Sequence, residues 1–198
     1  MSSFSKVRKR INKEINTFKN NVDEEGRSII NITIYNDNDF LSPYSTSNEE
    51  ILTEDTAKFL EHSAMTANPK NPLHINIYSD EIDSVEKEKY PKAIKNYYFN
   101  QLVDIQQKLK HNLIVSLIFT LASIIIFLAE FSFVQSLIKN DTINELINII
   151  GWVFMWEAVD QFCIERSHIN RQKYRYLNIM EAKLTFHKLK EKNKQIKK

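Results

Sequence analysis

Glycine is almost missing from this chain. Gly26 and Gly151 are the only two among 198 residues, so a phosphate-cradling loop, a dinucleotide fingerprint or a nucleophile elbow, each needing glycine at fixed spacing, cannot be written here. A single cysteine, Cys163, excludes an intrachain disulfide and any CxxC metal or redox motif, which fits a reducing compartment. The four prolines, Pro43, Pro69, Pro72 and Pro91, all precede residue 92. Beyond them nothing interrupts a long helix. These absences remove the common nucleotide-handling enzymes and the disulfide-stapled secreted domains.

Charge is scarce where it would be informative. The formal net charge is only +2, but it is the sum of −2 over residues 1–112, −4 over residues 113–164 and +8 over residues 165–198. The middle region holds one basic residue, Lys139. Residues 113–134 form an apolar run broken by Ser116, Thr120, Ser123 and Glu130. As a helix the run is about 33 Å long, the thickness of a bilayer core. A second run, residues 146–164, is about 28 Å long and carries Glu157 and Asp160. Lys108, Lys110 and His111 precede the first run, and Arg166, Arg171, Lys173 and Arg175 follow the second. A hairpin with both ends cytoplasmic, joined by an external loop over residues 135–145, satisfies the positive-inside rule. The basic start of the chain lacks the apolar core of a secretory signal, so the first span is expected to act as the insertion signal.

The polar part preceding the spans is organised by periodicity. Phe4, Val7, Ile11, Ile15, Phe18 and Val22 recur every three or four residues, predicting a basic amphipathic helix within residues 1–28 that covers the domain's own core or lies on anionic lipid. Ile32-Thr33-Ile34-Tyr35-Asn36-Asp37 and Ile75-Asn76-Ile77-Tyr78-Ser79-Asp80 echo one another as alternating strands that end in turns. Ser47 with Glu50, and Thr53 beyond, supply helix-start chemistry between them. Asp83 with Glu86 forms a capping box after the second strand. Residues 29–90 therefore read as a small α/β domain whose two strands are joined by a crossover long enough for parallel pairing. Two strands alone are marginal, so covering helices, an unrecognised strand or a neighbouring subunit must complete the sheet. Ile94, Tyr98, Leu102, Ile105 and Leu109 give residues 91–112 a packing seam, as a connecting helix running into the first span. The expected fold is an α+β cytoplasmic domain, in the order α-β-α-β-α with a small sheet, followed by a two-helix transmembrane hairpin and a basic helical tail over residues 165–198.

The second span carries the candidate site. Glu157, Asp160, Ile164 and His168 lie at helical offsets that place them on one face, level with Ser116 and Thr120 of the first span. Carboxylates in hydrocarbon must face protein, water or a proton; alternatively the bilayer ends near Trp156, and these acids are solvated. Trp152 and Trp156 suit an interfacial belt. Cys163 reads as a small buried thiol or an acylation site. Asp37, Asp39, Asp80 and Asp83 read as turn and cap residues rather than cation ligands. His111, Glu165 and His168 lack a zinc-binding spacing. No catalytic residue, metal or cofactor is expected. Arg166, Arg171, Lys173 and Arg175 face anionic headgroups; nucleic acid, which draws on the same charges, is an unlikely partner because no reading module is present.

The pattern Trp156, Glu157, Ala158, Asp160, Phe162, Glu165, Arg166 (W-E-A-x-D-x-F-x-x-E-R), after a β-α-β-α region, resembles a group of uncharacterised bacterial membrane proteins over about residues 29–186. That resemblance implies a bacterial inner-membrane location and no activity. The expected function is non-enzymatic: the cytoplasmic domain binds a partner protein or small-molecule signal, and an oligomeric hairpin transmits it or alters permeability, as in stress or defence effectors. Alternatives are a passive membrane-anchored scaffold and a membrane-attached metal-dependent hydrolase.

Overall fold

The computed structural model describes residues 7, 9, 21–46, 49–67, 71–80, 83–134 and 141–189. The amphipathic helix expected at the start therefore lies almost wholly outside the described residues, and so does most of the loop between the apolar helices. The chain divides into two compact units, one made of residues 1–102 with 174–198 and the other of residues 103–173.

The first unit is built on a parallel sheet of three strands, β1 (Ser28–Thr33), β2 (Leu73–Tyr78) and β3 (Lys183–His187), in that spatial order. The two echoing strands do pair in parallel, but with Ile30 beside Ile75 and Ile32 beside Ile77. This register lies two residues from a motif-on-motif alignment, and an even shift keeps every side chain on its face. The third strand comes from the segment read as a tail. Leu184 and Phe186 join the rows of Ile75 and Ile77, so one face of the sheet is wholly apolar. The other face carries a hydrogen-bonded row: Asn76 Nδ2 donates to Asn31 Oδ1 at 3.0 Å, and Thr185 Oγ1 donates to Asn76 Oδ1. His74 joins this row, its Nε2 lying 2.9 Å from Thr185 Oγ1 and its Nδ1 2.8 Å from Asp23 Oδ2.

Helix α1 (Glu54–Thr66) fills the crossover from β1 to β2. It starts after Thr53, whose hydroxyl donates to the Asp39 carbonyl at 2.8 Å. The Ser47–Glu50 pattern does not begin a helix, because Thr46 and Glu49 instead close an antiparallel bridge. Helix α2 (Ser84–Ala129) opens on the expected capping box, with the Asp83 amide donating to Glu86 Oε2 at 2.9 Å and the Val85 amide to Asp83 Oδ1 at 2.6 Å. It runs on as one helix through Pro91 and past the point where the first span was expected to start. Helix α4 (Arg166–Met180) brings the chain back toward β3.

Tyrosines tie these elements together. Tyr90 stacks on Phe40 with centroids 4.1 Å apart and gives its hydroxyl hydrogen to Asp37. Tyr98, fully buried, donates to the Ala57 carbonyl at 3.1 Å and packs on Tyr176 of α4. Burial pushes both phenols well above the ordinary tyrosine range, with Asp37 adding to the effect at Tyr90 and Glu61 at Tyr98.

The aspartates set aside as turn and cap residues have such partners. Asp39 accepts from the Asn36 amide at 3.2 Å, Asp80 from the Leu189 amide at 3.1 Å, and Asp37 holds Tyr90.

Candidate functional site

The second unit is a pair of antiparallel helices, the later part of α2 and α3 (Asp141–Val159). Both are long and apolar enough to cross a membrane. Their contacts fix the register: Phe119 lies 5.7 Å from Phe154, and Phe127 meets Trp152 edge-on at 5.8 Å. Asn112 Nδ2 donates to Gln161 Oε1 at 3.0 Å. Seven residues forward along α2 from Asn112 to Phe119 match seven residues back from Gln161 to Phe154, so Ser116 is level with Glu157.

Gly151 lets the helices touch. A Cβ there would stand 2.8 Å from the Phe127 ring and 3.2 Å from the Ile126 side chain. Small residues allow this kind of close helix approach.

The pair is inverted relative to a water-soluble helix bundle. Ile118, Leu121, Ile125 and Leu128 on α2 are each at least 59% exposed, and Val153 and Trp156 on α3 at least 60%. Its interior is polar: Asn112, Ser116 and Ser123 are at most 4% exposed. These three continue the seam of Ile105 and Leu109 at heptad spacings, so one stripe along α2 changes from apolar to polar as it enters the second unit.

Within the interior, Gln161 bridges two groups. It accepts from Asn112, and its own Nε2 donates to Glu157 Oε1 at 3.0 Å. The hydroxyls of the stripe are turned back on their own helix: Ser116 donates to the Leu113 carbonyl at 3.0 Å, Thr120 to that of Ser116 at 2.8 Å and Ser123 to that of Thr120 at 3.1 Å. Such back-bonding satisfies a hydroxyl donor where no water is at hand.

The structure separates residues that the sequence grouped together. Glu157 is half-buried, whereas Asp160, Ile164 and His168 are exposed. The cause is a π-helical turn over Asp160–Glu165, in which the Arg166 amide reaches the Gln161 carbonyl five residues back. A π turn accommodates an extra residue, so the helical phase slips by about one position and Ile169, not His168, becomes buried. A second π turn, Glu130–Val134, closes α2. Cys163 is exposed, in place of the expected buried thiol, on the outward side with Phe162 and Ile164.

Of the four basic residues expected to face lipid, Arg166 lies over the Phe162 ring at 5.8 Å, Arg171 is exposed, and Lys173 and Arg175 are half-buried. Among the described residues no three His, Cys, Asp or Glu side chains group as a metal site.

Asn112 and Gln161 escaped the sequence reading. Asn112 sits one residue before the apolar run, and Gln161 was overshadowed by the acids beside it. The signal that could have found Asn112 is its place seven residues beyond Ile105 in the seam. In the first unit, two adjoining cavities of about 280 and 430 Å³ lie along β1 and α1, and both touch Asn31 and Phe59.

Comparison with known proteins gave no match: no family model, no curated protein and no solved structure is similar to this chain.

Proposed function

We propose that this is a non-enzymatic bacterial inner-membrane protein in which α2 and α3 cross the bilayer as a hairpin and the sheet unit lies on the cytoplasmic side. The sheet unit binds a partner or small-molecule signal, and an oligomeric hairpin transmits it or changes membrane permeability. The observation that carries this reading is the inverted helix pair, with isoleucine, leucine and tryptophan outside and asparagine, serine, glutamine and glutamate inside. In water such a surface would be a large unpaired apolar patch; in lipid it is the favourable arrangement.

Strand pairing supports the hairpin topology. The chain leaves the sheet unit within α2 and re-enters it within α4, and β2 and β3 are hydrogen-bonded neighbours. Segments flanking the insertion must therefore lie on one side of a membrane, which allows two crossings and forbids one. The +8 charge of residues 165–198 assigns that side to the cytoplasm. The cavities beside β1 offer the sheet unit a place for a partner segment or small molecule.

Two measurements test the reading. In a Cys163→Ser background, Thr142→Cys in intact spheroplasts is expected to react with a membrane-impermeant maleimide, and Ser84→Cys only after lysis. Equal labelling of both would refute the hairpin. In vesicles of phosphatidylethanolamine and phosphatidylglycerol, wild type is expected to form a defined oligomer and leak ions, and Glu157→Gln with Asp160→Asn to alter the leak. An unchanged oligomer and leak would remove permeability from the proposal.

A further inference from the structure

The polar stripe inside the helix pair offers acceptors almost without donors. The Ser116, Thr120 and Ser123 hydrogens are committed to backbone carbonyls of α2, which leaves oxygen lone pairs toward their surroundings. The Gln161 amide is used at both ends. Asn112 is 96% buried by its 4% exposure, and its Oδ1 has no hydrogen-bond partner although its Nδ2 is engaged. A buried carbonyl oxygen left unmatched costs about 1–3 kcal/mol, so an orphan this deep marks a missing companion.

Glu157 brings a negative charge to the same level. No lysine or arginine lies between residues 111 and 138, and the first basic residue after Glu157, Arg166, is placed over Phe162. The complement of one carboxylate, one orphan amide oxygen and a row of hydroxyl oxygens is a cation.

We propose that Asn112, Ser116 and Glu157 form a binding site for a monovalent cation of the sodium class inside the helix pair. A single carboxylate matches a single positive charge, and neutral oxygens from an amide and a hydroxyl replace part of the ion's hydration shell, as carbonyl oxygens do in cation filters. Divalent and transition metals call for more carboxylates or for imidazole and thiolate ligands. The site deepens the functional proposal, on which its biological meaning rests: a stripe lined by acceptors admits cations and rejects anions.

The test uses the full-length protein in detergent micelles and needs no bilayer, so its failure is distinguishable from failure of the hairpin topology. Thermal unfolding is followed in sodium chloride and in choline chloride at equal ionic strength. Wild type is expected to gain several degrees in sodium, saturably, because a ligand that binds only the folded state stabilises it. Glu157→Gln and Asn112→Leu are expected to abolish the difference between the two salts. Asn112→Asp, which keeps an oxygen in place and adds a charge, is expected to enlarge the sodium response, and it serves where Asn112→Leu does not fold. Equal midpoints for wild type in the two salts would overturn the proposal. So would a sodium response that survives Glu157→Gln.

Discussion

Gly151 and Glu61 show what single side chains contribute in the two units. At Gly151 there is no room for even one methyl group, because the Phe127 ring stands 2.8 Å from where it would sit. Gly151→Val is expected to force the helices apart, at a cost of about 1–3 kcal/mol, typical of overpacking. Its thermal midpoint in detergent should fall by several degrees while Gly26→Ala, at an uncrowded turn with positive φ, lowers stability through the sheet unit instead. Glu61, on α1, is half-buried, and its carboxyl is held above the ordinary glutamate range chiefly by desolvation, against the opposing influence of Arg175 and Tyr176. A carboxyl that binds its proton more tightly when folded than when unfolded favours folding at low pH, and that advantage is lost as pH rises through its folded value. Glu61→Gln is therefore expected to raise the thermal midpoint at pH 7 and to leave it unchanged at pH 4. Equal effects at both values would contradict the assignment.

At the scale of elements, β3 matters most. It is an edge strand, yet it closes the row from Asn31 through Asn76 to Thr185 and supplies Phe186 to the apolar face. The Ser79 amide donates to the His187 carbonyl at 3.0 Å; by alternation the Thr185 amide faces β2 as well. Thr185→Pro removes that ladder bond together with the hydroxyl contacts to His74 and Asn76, at roughly 3 kcal/mol in total. Loss of cooperative unfolding by circular dichroism is the expected result, and a midpoint like that of wild type would mean β3 is dispensable.

The sequence shows β1, β2, the capping box at Asp83 and both apolar helices clearly, because each carries a period or a cap in its own residues. It hides β3. Leu184 and Phe186 alternate with Thr185 and His187 over only five residues, and Leu177, Met180 and Leu184 just before them keep a helical rhythm among lysines and arginines. The candidate site was half visible for a similar reason. Glu157, Ser116 and Thr120 stand out as polar residues in apolar runs, but the π turn that moves Asp160 and His168 outward depends on a backbone hydrogen bond that no side-chain pattern announces.

For the whole molecule, the sheet unit is discontinuous: residues 1–102 need residues 174–198 to complete it. A fragment ending at residue 110 is expected to lack a third strand, expose the β2 edge and aggregate. Joining residues 1–102 to residues 174–198 through a short Gly-Ser linker should instead give a folded sheet unit with dispersed amide resonances, since Tyr98 and Tyr176, on either side of the join, already pack at 5.4 Å. A soluble, folded 1–110 fragment would show the third strand to be inessential.

That discontinuity imposes an order on the protein's birth. A ribosome delivers β1 and β2 first, then the two apolar helices, and β3 only near the end of translation. The sheet therefore stays incomplete until both helices have been made. A nascent chain whose second helix fails to enter the membrane would present its last strand on the wrong side, leaving β2 bare and recognisable to proteases. Completion of the sheet thus serves as a check on insertion, written into the strand order itself.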